Sequence, residues 1–156
     1  MTIFFKCCWS RTAAYMYKLN HILIVDDDQI NSLFSQIILE DANACQTVSV
    51  CHSTLEALEL LRSIAHTQDA HFPDLILLDI NMPELDGFDF LEQYHAQDYH
   101  RFRTLISMFS SSDDPEHLET IKNYSSVIGF IPKPLSMATL NNLLALHFTP
   151  PVNNLL

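Results

Sequence analysis

Short apolar runs and amphipathic stretches alternate five times along this chain of 156 residues. Each run has the length and the apolar or β-branched content of a buried strand, and each stretch has the length of a helix. The predicted strands are 21–25, 47–51, 74–80, 105–109 and 127–131. Strands that alternate with helices form a parallel sheet with right-handed crossovers and helices on both faces. We therefore predict an α/β fold, a doubly wound (βα)5 domain.

Local signals mark the predicted helices. The first, 29–41, carries an apolar stripe at helical spacing, at Ile30, Leu33, Phe34, Ile37 and Ile38. Ser53, with Glu56 three residues later, forms a capping box and begins a helix that reaches about residue 66. The remaining helices are predicted over 88–96, from Pro115 with Asp114 as its cap, and over 137–147 with Ser136 as its cap.

Pro132 restricts the strand order. Proline in a sheet belongs at an edge or at a strand end, so strand five is expected at an edge. This position fits the order 2-1-3-4-5 of flavodoxin-like sheets.

The composition excludes several function classes. The net charge of −11 argues against binding to nucleic acid and to an anionic membrane surface. No apolar run reaches the length of a membrane span, and residues 1–6 do not form a signal peptide, so we expect a cytoplasmic protein. The four cysteines are expected as reduced thiols, and the cysteine and histidine spacings do not fit a zinc site.

Carboxylates gather where the predicted strands end. Strand one ends in Asp26, Asp27 and Asp28, and strand three ends in Asp79. Because the first strand neighbours the third in this order, these groups meet at the point where ligands bind to such sheets. Ser110 and Lys133 end strands four and five at the same edge.

Carboxylates about 5 Å apart repel by roughly 3 kcal/mol per pair at an effective dielectric of about 20. Several such pairs would either raise the pKa values of these carboxyl groups or require a cation. Oxygen ligands of this kind suit Mg²⁺, and Lys133 can pair with Asp79. The set therefore suits a carboxylate nucleophile that receives a phosphoryl group.

Four segments carry a family resemblance: VDDDQIN, LLDINMPELDGFDFL, MFSSSDDPE and GFIPKP. Together they resemble the receiver domain of bacterial two-component response regulators, and in particular stand-alone receivers of the chemotaxis type. The resemblance implies that Asp79 is the phosphoacceptor and that Ser110 and Lys133 assist the phosphoryl transfer. It also implies that Ser110 and Phe130 form a conformational switch. It further implies a Mg²⁺ ion held by Asp26, Asp27, Asp79 and the backbone carbonyl of Asn81, and a cis bond between Lys133 and Pro134.

The same resemblance implies the partners of the protein, the bounds of its domain and the extent of its catalysis. The donor would be a sensor histidine kinase or a histidine phosphotransfer protein, and the output protein would bind the face formed by helix four, strand five and helix five. We expect a receiver domain over 19–148, preceded by an arm at 1–18 that is disordered or lies upstream of a start at Met16, and followed by a short tail at 149–156. Residues 1–15 are expected to be dispensable for folding, for stability and for labelling of Asp79. Signalling would then proceed by protein contact or by phosphorelay, and the only catalysis would be self-phosphorylation from a donor and autodephosphorylation.

Three alternatives stay open. The chain could be a receiver-shaped interaction module that is not phosphorylated. It could be a phosphatase that uses Asp26 and Asp28 as an Asp-x-Asp pair, although Ile30 stands where that motif has threonine. Asp28 itself could be a solvated residue or the cap of helix one.

Overall fold

A computed structural model describes residues 18–67, 71–110 and 115–148 of the chain. Five parallel strands form one sheet in the order β2-β1-β3-β4-β5, which confirms the predicted (βα)5 architecture. The strands are β1 (Leu19–Val25), β2 (Cys45–Cys51), β3 (Leu75–Asp79), β4 (Leu105–Ser110) and β5 (Val127–Pro132). The helices are α1 (Gln29–Asp41), α2 (Thr54–Ala65), α3 (Gly87–Ala96), α4 (Pro115–Ile121) and α5 (Met137–His147).

The sheet separates two apolar cores. One face packs under α2 and α3 and includes Leu61, Ile76 and Tyr94, and the other packs under α1 and α5 and includes Leu39, Leu77 and Leu140. All five side chains of β3 are buried, as expected for a central strand covered on both faces. Burial of these side chains supplies the main driving force for folding.

Most of the predicted element boundaries shift by only one or two residues. Pro132 lies at the end of the edge strand β5, and Pro115 occupies the first position of α4, as predicted. A short 3₁₀ helix at Tyr99–Phe102 was not predicted. The predictions for Asp114, for residues 1–15 and for the tail fall outside the described residues.

The predicted apolar stripe of α1 does not face the core. Ser32, Ser35 and Leu39 are the buried residues of this helix, whereas Ile30, Leu33, Phe34 and Ile37 are exposed. These four residues of the predicted stripe therefore lie on the solvent side of the helix. The two small serine side chains thus lie on the side of the helix that faces the sheet, and the larger apolar side chains lie on the opposite side.

Candidate phosphoacceptor site

Three carboxylates converge at the carboxyl edge of the sheet. The oxygen atoms that Asp26, Asp27 and Asp79 offer lie within 4.8 Å of one another. Asp79 ends β3, and the two other residues follow β1, its neighbour in the sheet. Asp26 is fully buried and Asp79 is 5% exposed, whereas Asp27 faces solvent. The cluster is thus buried at its base and open at one side.

Lys133 compensates part of this negative charge. Its Nζ lies 2.8 Å from Asp26 Oδ2 and 3.1 Å from Asp79 Oδ1. The peptide bond that follows it, to Pro134, is cis, in agreement with the resemblance. The backbone N–H of Lys133 donates to the carbonyl of Ser110 at 2.9 Å, which fastens the loop after β5 to the end of β4. One ammonium therefore bridges two of three carboxylates.

Burial changes the proton affinity of both partners. It raises the pKa of Asp79 above its ordinary value and outweighs the opposing effect of Lys133. Burial alone would lower the pKa of Lys133, but the hydrogen bonds and charges of Asp26 and Asp79 outweigh it, so this pKa is raised. Lys133 consequently stays charged. The Asp79 carboxylate is poorly solvated and more basic than usual, and both properties suit a nucleophile.

The first turn of α1 fixes Asp26. Its Oδ1 accepts from the N–H of Asp28 at 2.9 Å, and its Oδ2 accepts from the side-chain amide of Asn31 at 2.5 Å. Asp28 is the N-cap of the helix, since its carboxylate accepts from the N–H groups of Ile30 and Asn31. This answers the open question about Asp28. An Asp-x-Asp phosphatase would need that carboxylate for chemistry, whereas here it caps a helix.

The sequence analysis did not identify the roles of Asn31 and Phe109, and a glycine adds a third feature to the site. Asn31 holds Asp26, and its position in the first helical turn after the acidic residues was the only signal. The ring of Phe109, which pairs with Asp79 in the sheet, lies with its centroid 5.3 Å from Lys133 Nζ. Gly87 donates its N–H to the carbonyl of Ile80, and a Cβ there would lie 2.4 Å from the carbonyl oxygen of Asp79. Only glycine allows α3 to begin so close to β3.

The remaining predicted residues surround the cluster. Ser110 is buried at the end of β4, and the backbone N–H of Asn81 donates to Asp79 Oδ1 at 3.3 Å. Phe130 is half-buried on β5 against the core under α2 and α3. Among the residues that the structure describes, the acidic cluster is the only group of three or more side chains able to hold a metal ion.

The donor set fits the Mg²⁺ ion that the resemblance implies. It consists of three carboxylates, whose oxygens are hard ligands, and their negative charge exceeds the single positive charge of the nearby Lys133. One carboxylate faces solvent, which can supply water ligands. The cysteines in the described part of the chain, Cys45 and Cys51, are free thiols and take no part in the site.

Comparison with known proteins identifies the family of the chain. The family model of the response regulator receiver domain matches residues 22–145, so the chain belongs to that family. The polar-differentiation response regulator DivK of Brucella ovis is 30% identical over 119 residues, which cover 74% of this chain and 85% of DivK. A crystal structure of the chemotaxis protein CheY4 of Vibrio cholerae matches with a TM-score of 0.65 at 30% identity. The match covers 81% of this chain and 97% of the CheY4 chain.

Other relatives are longer than the matched region. A protein-glutamate methylesterase/protein-glutamine glutaminase of Methanospirillum hungatei is 36% identical over 96 residues, 61% of this chain but only 25% of that protein. The chain likewise spans 45% of the probable C4-dicarboxylate response regulator DctR of Priestia megaterium. No helix within the described ranges has both the length and the apolar character needed to cross a bilayer.

Proposed function

We propose that the protein is a phosphoacceptor of a two-component system, and that Asp79 receives a phosphoryl group from a phosphohistidine. The observation that carries this proposal is the position of the Asp79 carboxylate, held between Lys133 and two further carboxylates at one edge of the sheet. The group would come from a sensor histidine kinase or a histidine phosphotransfer protein. Chemistry would be limited to this self-phosphorylation and to autodephosphorylation.

In the transfer, an oxygen of Asp79 forms the new O–P bond while the N–P bond of the donor breaks. The bonding pair stays on the imidazole nitrogen, and the product on Asp79 is an acyl phosphate. Lys133 and the hydroxyl of Ser110 would bind phosphoryl oxygens. Asp26, Asp27, Asp79 and the carbonyl of Asn81 would hold Mg²⁺, which when bound neutralises charge on the transferring group.

The output would use the face of α4, β5 and α5. A phosphoryl oxygen on Asp79 draws Ser110 inward, and the ring of Phe130 on neighbouring β5 fills the space this opens. Signalling then proceeds by protein contact on that face or by passing the phosphoryl group on. We place this activity in the receiver domain at 19–148 and in the cytoplasm.

Acetyl phosphate tests the assignment of Asp79. With Mg²⁺ and this donor, the protein should gain one phosphoryl group that is stable to acid and labile to base. Asp79→Asn keeps the shape of the side chain and removes the nucleophile, so labelling should be lost. Asp28→Asn is the matched control, since asparagine also caps a helix and this carboxylate lies outside the cluster. Equal labelling of Asp79→Asn and the parent would show that Asp79 is not the phosphoacceptor. A parent protein that gains no label would favour the unphosphorylated interaction module.

A further inference from the structure

Helix α1 presents an apolar face to solvent. Ile30 is 82% exposed and Leu33 59%, and Phe34 and Ile37 each expose close to half of their surface. Their spacing of three and four residues places all four on one side of the helix, and these four residues form the exposed apolar stripe. Contiguous exposed apolar surface of this kind marks an interaction site. The helix contains no lysine or arginine, and acidic residues lie at both ends of the stripe: Asp27, Asp28, Glu40 and Asp41.

The described chain begins next to the C-terminal end of this helix. Lys18 Nζ donates to the side-chain oxygen of Asn43 at 2.6 Å, and the N–H of Leu19 donates to the carbonyl of Ala44 at 2.9 Å. Both acceptors lie just after the C-terminal end of α1, so residues 1–17 join the domain at that end. The stripe is about 10 Å long, which is well within the reach of 17 residues.

The composition of residues 1–17 complements the stripe. The segment, MTIFFKCCWSRTAAYMY, is rich in apolar and aromatic residues, carries Lys6 and Arg11, and has no aspartate or glutamate. A second copy of α1 fits less well. In either relative direction its acidic ends would lie against the acidic ends of the first copy, and like charges destabilise such a contact.

We propose that residues 1–17 dock on the apolar stripe of α1 and cover it within the same molecule. The dispensability expected of residues 1–15 then applies to folding and to labelling of Asp79 by a small donor, but not to this face. The stripe begins two residues after Asp28, beside the acidic cluster. If the proposed function holds, the docked segment borders the path by which a protein donor reaches Asp79.

Trp9 reports on the docking because it is the only tryptophan of the chain. In the full chain its fluorescence should be blue-shifted, and shielded from acrylamide, relative to a free peptide of residues 1–17. Leu33→Asp and Phe34→Asp should each lower the ratio of docked to undocked segment by roughly tenfold, the equivalent of about 1.4 kcal/mol. The emission should then shift to the red and quenching should approach that of the peptide.

Leu55→Asp is the matched control, since Leu55 on α2 is 51% exposed and the change adds the same charge away from α1. Its Trp9 signal should equal that of the parent. Three results would overturn the proposal: a parent Trp9 as accessible as in the peptide, shielding that survives Leu33→Asp and Phe34→Asp, or shielding that depends on protein concentration. Labelling by acetyl phosphate should be equal in all variants, so a failure of the phosphoacceptor proposal would appear there and not in the fluorescence.

Discussion

Asp27 differs from the two other carboxylates of the cluster because it faces solvent. Asp26 and Asp79 contact Lys133, whereas Asp27 adds negative charge on the open side. A cation that binds only the folded state stabilises that state by mass action. We therefore expect Mg²⁺ to raise the melting temperature of the protein.

Asp27→Asn should weaken this response to Mg²⁺ and should stabilise the metal-free protein slightly, since it removes repulsion. Thermal unfolding with and without Mg²⁺ measures both effects. Glu40→Gln, at the far end of α1, removes a charge outside the cluster and serves as the control. If Asp27→Asn keeps the full Mg²⁺ shift, the ion does not use this carboxylate.

The two glycines of the chain illustrate what a residue type alone conceals. Gly87 lies at the turn into α3, and glycine is required there by the close approach to the backbone of Asp79. At Gly129 a Cβ would meet nothing within 4 Å outside the two neighbouring residues of the chain. Its φ of +139° is what requires glycine, at the irregularity where the register between β4 and β5 shifts.

At the scale of elements, β4 is expected to transmit the state of Asp79 to β5. Ser110 pairs with Pro132 at the end of the two strands, and Phe130 lies two residues earlier on β5. Ser110→Ala should therefore still accept phosphate on Asp79 but lose the change that phosphorylation produces around Phe130. Amide hydrogen exchange of phosphorylated parent and variant compares the two.

Ser107→Ala, on the same strand but three residues before Ser110, is the control and should behave as the parent does. An identical phosphorylation-dependent change in Ser110→Ala would show that the coupling takes another route.

Helix α1 shows why the elements were easier to predict than their orientation. Periodicity placed the helix at 29–41 correctly, because spacing and capping are local properties. The side that faces the sheet depends on how closely the backbones approach, and this favoured Ser32 and Ser35 over larger side chains. The carboxylates, Ser110 and Lys133 could be predicted because each ends a strand. The role of Phe109 could not be predicted, because it depends on a contact with Lys133, which follows a different strand. The role of Asn31 could not be predicted, because its place in the first turn of α1 does not show that its side chain reaches Asp26.

The whole molecule should lose stability at alkaline pH. Burial raises the pKa of Cys51 from 9.0 to about 12, and it raises the pKa of Tyr94 from 10.0 to about 12. The folded protein thus keeps protons that the unfolded chain releases, so the free energy of unfolding falls as the pH rises from about 9 to about 12. Below pH 9 these two groups contribute no pH dependence.

Tyr94→Phe separates the contribution of the tyrosine. The variant loses one hydrogen bond to the carbonyl of Tyr99, which costs about 1 kcal/mol at neutral pH. Between pH 10 and 12 it should lose roughly 2–3 kcal/mol less stability than the parent does. Urea unfolding at a series of pH values measures this slope. Parallel stability curves for the two proteins would show that Tyr94 ionises freely in the folded state.

The sheet also divides the molecule into two compartments, the two apolar cores, in which substitutions are expected to act independently. Side chains of the core under α2 and α3 lie across a layer of backbone from those under α1 and α5. Substitutions that do not share contacts usually add in their effects on stability. One compartment can therefore be redesigned while the other is left intact, for example to graft a different surface onto α2 and α3. The acidic cluster lies on the edge common to both and belongs to neither compartment alone.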